Sequence, residues 1–222
     1  MTTEQAYVQF LTLVNRNATN NKVNVDKPRF VILFNDIQRR YVEWILEKRN
    51  EDSIRFISRL LIQEFPLNVS AEKETHNLYS LPANYFDLAN VHVYASTDCC
   101  GKRKMQTHEV KSEDVEELLA DENNKPSFRA AETFYLTTSD RVAVYKDEFT
   151  IEEVLLSYYR YPVSIDIAGY INLDSSASTT VNPEFDDKVV NRILIGMAKE
   201  FSAINSDTAS YQLDKDRLFT EV

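Results

Sequence analysis

The sequence predicts an α+β fold in which an antiparallel helical bundle carries a β-rich insertion. Over residues 1–64, apolar side chains recur at three- and four-residue spacing, which is the period of helices with one buried face. Over residues 65–162, short β-branched or aromatic runs are separated by turn residues, which is typical of strands. Residues 182–205 then return to helical spacing. We therefore expect three N-terminal helices and one C-terminal helix to form the bundle.

Three helices are predicted in the N-terminal block. The first covers residues 3–15, and a polar, asparagine-rich loop separates it from the second. Asp26 is a suitable N-cap for the second helix, and Pro28 is tolerated in the first turn of that helix. A third helix is expected from about Asp52. The side chains predicted to be buried are Phe30, Phe34, Ile37, Tyr41, Trp44 and Ile45 in the second helix, and Ile54, Ile57 and Leu61 in the third.

The middle block changes to the alternation that strands require. The predicted strands are residues 65–70, 90–95, 133–137, 141–146 and 152–161. A short helix is expected at residues 112–119, where acidic side chains favour the helix N-terminus. Residues 163–181 contain many small polar side chains and too few apolar ones to order themselves, so they predict an exposed loop.

The C-terminal block predicts one amphipathic helix followed by a tail. Asn182 is a suitable N-cap and Pro183 suits the first helical position, so the helix is expected to begin here. Its predicted buried residues are Val189, Val190, Ile193, Leu194, Met197, Phe201 and Ile204. Residues 206–222 contain too much apolar content for an idle solvated tail and too little to fold alone. They predict an interaction tail.

Composition restricts the class of protein. The net charge is −10, from 25 basic and 35 acidic residues, which is the opposite of the balance that phosphate binding requires. With three glycines in the chain, a glycine-rich nucleotide loop is not expected. No apolar run reaches the roughly 20 residues of a membrane span, and the first residues do not resemble a signal peptide. Cys99 and Cys100 are adjacent and give no disulfide framework, so synthesis in a reducing cytosol is expected.

No catalytic or metal-binding pattern is found in the sequence. The three histidines are scattered and do not neighbour a nucleophile signature. Zinc binding by Cys99 and Cys100 with His92 and His108 is not expected, because adjacent cysteines point to opposite sides of an extended chain. A calcium loop at residues 121–132 is excluded, since proline occupies the position that requires glycine. We therefore predict no enzyme activity, no metal and no cofactor.

Three groups of residues are candidates for contact with a partner. In the last strand, alternation sends Tyr158 and Arg160 to one face, which either meets a partner or lies half in the core. The triplet Lys102, Arg103 and Lys104 either contacts a DNA backbone or an acidic partner, or is a solvated hairpin tip. The interaction tail docks either on its own domain or on a neighbour. The candidate contact residues of the tail are Tyr211, Leu213, Arg217, Leu218 and Phe219.

The order of four segments resembles a known family. These segments are Leu81-Pro82 with Tyr85-Phe86, the strand end Tyr158-Tyr159-Arg160-Tyr161-Pro162, residues 182–187 leading into residues 189–201, and Tyr211 to Arg217. In this order and spacing the chain is similar to the head-to-tail connector proteins (tail adaptor or ring proteins) of tailed bacteriophages, as in short-tailed and crAss-like phages.

The resemblance implies a structural virion protein made in the host cytoplasm and located in the neck or tail. Its copies would assemble as a twelvefold ring, a dodecamer, beneath the portal protein and next to other tail or ring proteins. DNA would pass through the lumen without specific binding, and no membrane would be contacted. The family carries no catalytic residues. The alternative is a soluble module of the same fold that binds a protein partner outside a virion.

Overall fold

The computed structural model describes residues 1–15, 24–171 and 175–204, with side chains described as far as residue 202. The described chain divides into two compact units. We call the first the helical unit; it contains Met1–Leu60 and the described residues from Pro162 onward. We call the second the sheet unit; it contains Leu61–Tyr161.

The expected bundle with a β-rich insertion is wrong. The dominant element is a curled, mixed sheet of eight strands, a half-barrel, and the five helices do not form a bundle around it. The helices are α1 (Thr3–Asn15), α2 (Lys27–Lys48), α3 (Glu51–Ile54), α4 (Val115–Ala120) and α5 (Asp187–Ile204), and a 3₁₀ turn (Arg55–Leu60) follows α3. The strands are β1 (Leu61–Pro66), β2 (Val69–Glu72), β3 (His76–Ser80), β4 (Tyr85–Thr97), β5 (Cys100–Glu109), β6 (Glu132–Thr137), β7 (Arg141–Tyr145) and β8 (Thr150–Arg160).

The bundle does not form partly because the third predicted helix is much shorter than expected. Only one α-helical turn forms after Asn50, whose side chain accepts a hydrogen bond from the Asp52 backbone N–H at 3.1 Å. The chain then tightens into the 3₁₀ turn, where Ile57 and Leu60 are fully buried. Their three-residue spacing matches the three residues per turn of a 3₁₀ helix. Because β1 begins at Leu61, no long third helix is available for a bundle.

The long helices pack through aromatic side chains. Phe10 of α1 contacts Phe30 of α2 at a ring-centroid distance of 5.6 Å and Phe201 of α5 at 6.1 Å. Phe34 extends this contact along α2, 5.9 Å from Phe30. All four rings are buried. The N-cap predicted for α2 is confirmed, since the Asp26 side chain accepts a hydrogen bond from the Arg29 backbone N–H.

Helix α5 begins at Asp187, five residues later than the sequence indicates. Asn182 caps a different helix, because its side-chain oxygen accepts a hydrogen bond from the Thr3 backbone N–H at 3.0 Å. The Thr3 hydroxyl also donates to the carbonyl of Val181 at 2.6 Å. Val181 and Asn182 therefore supply acceptors at the N-terminus of α1, where the backbone N–H groups have no partner within the helix.

Residues 163–171, which we call the strap, form no helix or strand, as the sequence predicts, but part of the strap is held against α2, so the expectation of exposure is wrong for Ile165 and Ile167. Ile165 and Ile167 are buried. The side-chain amide of Asn35 donates to the Ile165 carbonyl at 3.1 Å and accepts from the Ile165 N–H at 2.8 Å. Gln38 donates to the carbonyl of Val163 at 3.0 Å. Polar side chains of α2 thus supply the backbone partners that an irregular segment needs when it is buried.

The sheet has the strand order β1-β8-β4-β5-β6-β7-β3-β2. Its pairs are antiparallel except for β5 with β6, which is parallel. The two edge strands, β1 and β2, are consecutive in the chain and separated by Leu67 and Asn68 alone. The Cα atoms of Pro66 and Val69 are therefore at most about 11 Å apart. The two edges of the sheet meet at this corner, and this short link requires the sheet to curl.

Apolar side chains cover both faces of part of the sheet. In β6 and β7, neighbouring residues alternate between the two core clusters, as Phe134 and Tyr135 do. The smaller cluster lies under α4, where Val115 packs with Phe134. The larger cluster contains Leu67, Tyr79, Val91, Val93, Ala95, Met105, Tyr135, Val142, Val144, Phe149, Ile151, Val154, Leu156 and Tyr158.

Candidate interaction surface

The described residues show no group of three or more histidine, cysteine, aspartate or glutamate side chains placed to hold a metal ion. None of the described helices is both long and apolar enough to cross a membrane.

An open groove of about 510 Å³ lies beside α4, lined by both acidic and basic side chains that include His108, Lys111 and Asp121. Asp121 already has hydrogen-bond partners: its carboxylate accepts hydrogen bonds from the backbone N–H of Asn123 at 2.9 Å and from the side chain of Asn124. These hydrogen bonds lower the pKa of the Asp121 carboxyl. The Asp121 carboxylate therefore stabilises the turn that contains Asn123 and Asn124.

Five aromatic side chains, from β1, β4, β8 and the residue that follows β8, form what we call the aromatic cluster. Its ring-centroid distances are 6.0 Å for Phe65 with Tyr158, 5.9 Å for Tyr85 with Tyr158, and 4.4 Å for Phe86 with Tyr161. The strand β8 pairs with β1 on one side and β4 on the other, which brings these residues together. Two of the segments that carry the family resemblance, separated by more than seventy residues in the chain, are thus in contact.

Tyr158 is the inner member of the aromatic cluster, so of the two alternatives that the sequence left open, partner contact or a place in the core, the structure favours the core. It is 1% exposed, and its hydroxyl donates to the side-chain oxygen of Asn84 at 2.9 Å. Burial raises the pKa of this hydroxyl. The neighbouring Tyr159 is also buried. Because β8 is a central strand covered on both faces at this end, alternation does not place either tyrosine in solvent.

The exposed member of the strand end is Tyr161, which is 47% exposed. Its backbone N–H donates to the carbonyl of Asn84 at 2.9 Å, and its ring lies against that of the half-buried Phe86. Arg160, predicted to face a partner, is half-buried and donates to the carbonyl of Tyr161 at 3.1 Å. The Phe86–Tyr161 pair is therefore a better candidate for contact with a partner than the buried Tyr158. The position of Tyr161 directly before Pro162, where the strand stops, is the signal that could have identified it.

The basic triplet does not present three charges to one surface. Lys102 forms a salt bridge with Glu153, and its ammonium lies 4.9 Å from the ring centroid of Tyr94. Arg103 is half-buried, with its guanidinium over the ring of Phe128 at 4.2 Å. Lys104 is exposed. Contact with DNA or an acidic partner stays a prediction, and of the three residues Lys104 is the most available for it.

The tail candidates Tyr211, Leu213, Arg217, Leu218 and Phe219 lie outside the described residues.

An aspartate holds the turn that follows the strap. The Asp166 carboxylate accepts hydrogen bonds from the Tyr170 hydroxyl at 2.6 Å and from the backbone N–H groups of Ile167 and Thr179 at 2.8 and 3.1 Å. Burial acts to raise the pKa of Asp166, but the hydrogen bonds outweigh it and keep that pKa below its usual value. Burial, with the hydrogen bond to Asp166 and its charge, raises the pKa of Tyr170 to about 12.

Tyr170→Phe is expected to lower the free energy of unfolding by about 1 kcal/mol near pH 7, because it removes a hydrogen bond to a partly exposed carboxylate. The depressed pKa of Asp166 contributes stability above its unfolded value of about 4, which is lost as pH falls. The raised pKa of Tyr170 contributes stability below its unfolded value of about 10, which is lost as pH rises. Urea unfolding should be measured from pH 3 to pH 11. The difference in the free energy of unfolding between wild type and variant should become smaller toward pH 3 and toward pH 11.

The matched control is Tyr94→Phe, since the Tyr94 ring faces the Lys102 ammonium instead of a carboxylate. It is expected to show no such bell-shaped difference. A Tyr170→Phe difference that stays constant across the whole pH range would contradict the assigned Tyr170–Asp166 pair.

Comparison with protein-family models and with curated proteins finds no match for this chain. The fold and the surface define a two-unit protein of mixed α and β structure, with an aromatic pair on its sheet unit in which the Tyr161 ring is exposed.

Proposed function

We propose that this protein is a structural virion component that forms a ring between the portal and the tail of a bacteriophage. It would connect head to tail in the neck and surround the DNA exit channel after synthesis in the host cytoplasm. The observation that carries the proposal is the contact between Phe86 and Tyr161, which joins two segments of the family resemblance and leaves an aromatic ring exposed. Tyrosine is one of the residue types that are enriched among the residues contributing most to binding at protein interfaces.

A ring requires two different surfaces on each copy, because one face of a subunit meets another face of the next. The Phe86–Tyr161 pair is our candidate for the first surface. Exposed apolar residues of the helical unit, Ile32 and Trp44 on α2, are candidates for the second; the burial predicted for Trp44 is wrong, since the side chain is 39% exposed. The tail residues from Tyr211 to Phe219 would add contacts to a neighbouring copy or to the portal protein. The net charge of −10 supports a lumen that repels DNA and lets it pass without specific binding.

Electron microscopy of the full chain mixed with purified portal protein tests the proposal. We expect a ring, twelvefold in the family that the sequence resembles, bound to one end of the portal. Portal particles that carry no added ring at saturating protein would contradict the proposal. A protein that binds a purified non-virion partner and ignores the portal would favour the alternative, a soluble binding module.

Deletion of residues 206–222 separates assembly from folding in the same experiment. We expect the shortened chain to keep the far-UV circular dichroism and melting temperature of the full chain and to lose the portal-bound ring, because these residues combine apolar and charged side chains suited to a partner. Loss of folding on deletion would instead show that the tail belongs to the core of its own domain. Full ring formation by the shortened chain would remove the tail from the proposed interface.

A further inference from the structure

The tip of the β4–β5 hairpin carries two adjacent thiols. Thr97 pairs with Cys100 across the hairpin, so Asp98 and Cys99 form the two-residue turn. Cys99 and Cys100 are both exposed and both are free thiols. Their Sγ atoms are 3.0 Å apart. The turn thus holds the two sulfurs on the same side, although an extended chain would send neighbouring side chains to opposite sides.

The surroundings of this pair favour reaction with a small molecule. The hydroxyl of Thr97 lies 3.5 Å from the Cys99 sulfur. The next residue, Gly101, is uncrowded: a Cβ atom at this position would have no other group within 4 Å. The hydrogen bonds with Thr97 and Cys100 lower the pKa of the Cys99 thiol, whereas the hydrogen bond with Cys99 raises the pKa of the Cys100 thiol. The first thiol is therefore the better source of an attacking thiolate, and the second remains protonated beside it.

We propose that Cys99 and Cys100 form a dithiol site that reacts with small-molecule disulfides and closes reversibly into a disulfide between the two adjacent residues. The Cys99 thiolate attacks one sulfur of the small disulfide, which forms a mixed disulfide and releases one thiolate. Cys100 then loses its proton to solvent and attacks the Cys99 sulfur, which releases the second thiolate. Overall, the two cysteine thiols are oxidised, and the small disulfide is reduced to two thiols.

The closed form is a ring of eight atoms that includes one peptide bond. Such a small ring is strained, and strained, exposed disulfides are the readily reduced ones. The site therefore differs from a structural disulfide: it opens again when reduced thiol is in excess. It lies at the end of a hairpin and away from the aromatic cluster in the strand register, so the inference does not depend on the proposed function.

Intact-mass measurement of the full chain, incubated with oxidised glutathione and quenched with acid, tests the site. Wild type is expected to lose two hydrogens, about 2 Da, without a lasting glutathione adduct, and to recover its mass with excess reduced glutathione. Cys99→Ser and Cys100→Ser should each stop at one glutathione adduct, because neither has a second thiol to displace it. The Cys100→Ser variant, which retains Cys99, should form its adduct at least about threefold faster than Cys99→Ser.

Three results would overturn the proposal. The first is wild-type protein that accumulates stable glutathione adducts, and the second is wild-type protein that stays fully reduced in excess oxidised glutathione. The third is a disulfide-linked dimer on a non-reducing gel as the main product, which would place the bond between copies. Equal or reversed adduct rates for the two serine variants would overturn the assignment of Cys99 as the attacking thiol.

Discussion

Tyr158→Ala is expected to lower the free energy of unfolding by about 4 kcal/mol, the usual range for removing a buried aromatic side chain. The ring is 1% exposed and contacts both Phe65 and Tyr85, so its loss leaves a cavity in the larger core cluster. Tyr158→Phe keeps the ring and removes the hydroxyl that donates to Asn84, so about 1 kcal/mol is expected for it. Urea unfolding followed by far-UV circular dichroism measures both.

Tyr161→Ala is the matched control at the same strand end. Because Tyr161 is 47% exposed, we expect a change in the free energy of unfolding within about 1 kcal/mol. Under the proposed function, this variant keeps its fold and loses portal-bound rings. The opposite pattern, in which Tyr158→Ala is stable but fails to assemble and Tyr161→Ala unfolds, would restore the partner contact that the sequence left open for Tyr158.

The contrast between these two tyrosines shows where strand alternation fails as a guide to a surface. Alternation separates inner from outer residues only when one face of a sheet is solvated. In β8, the residues from Leu156 to Tyr159 are all buried, so both faces of this stretch are covered, and β1 and β4 flank it as neighbouring strands. Only beyond the last strand residue, at Tyr161, does a tyrosine reach solvent. The sequence left open whether Tyr158 meets a partner or lies in the core; it lies in the core, and Tyr161 is the exposed tyrosine of this segment.

Local patterns predicted individual elements better than their assembly. Helices α1 and α2 were expected with nearly the observed bounds. The strands predicted at residues 133–137 and 141–146 are close to β6 and β7, which pair with each other. Strands β3 and β5 were missed, and the single strand predicted at residues 65–70 is wrong, because this range covers the end of β1, the corner and the start of β2. Near its start, β5 has one glycine and three basic residues, Gly101 to Lys104, and this composition hid it although its pairing with β4 is local. Its other pairing, with β6, is parallel and distant in the chain. No local period reports such a pairing.

The strap was missed for a related reason. Composition correctly showed that residues 163–181 cannot bury enough apolar surface to order themselves, but Ile165 and Ile167 are buried against another part of the chain. The hydrogen-bond partners of the strap backbone are the amide side chains of Asn35 and Gln38 on α2. In the sequence these two residues look like ordinary polar residues of a helix. A long-range hydrogen bond from a side chain to a backbone leaves no periodic signal in the sequence.

Ile165→Ala is expected to lower the free energy of unfolding of the helical unit by about 3 kcal/mol, within the range for a buried isoleucine. Ile165 is 1% exposed, and its backbone is held on both sides by the Asn35 amide. Ile171→Ala is a matched control from the same segment: that side chain is 76% exposed, so a change within about 0.5 kcal/mol is expected. Fluorescence of Trp44 on α2, the single tryptophan, reports the unfolding of this unit.

Asn35→Ala and the double variant then test whether the side chain and the backbone contacts act together. Asn35→Ala alone should cost about 2 kcal/mol, because it leaves the Ile165 N–H and carbonyl without their partner. If Ile165→Ala already loosens the strap from α2, the double variant should cost less than the sum of the two single variants, by about 1 kcal/mol. Equal costs for Ile165→Ala and Ile171→Ala, or strictly additive costs in the double variant, would mean that residues 163–171 are not held against α2 as a unit.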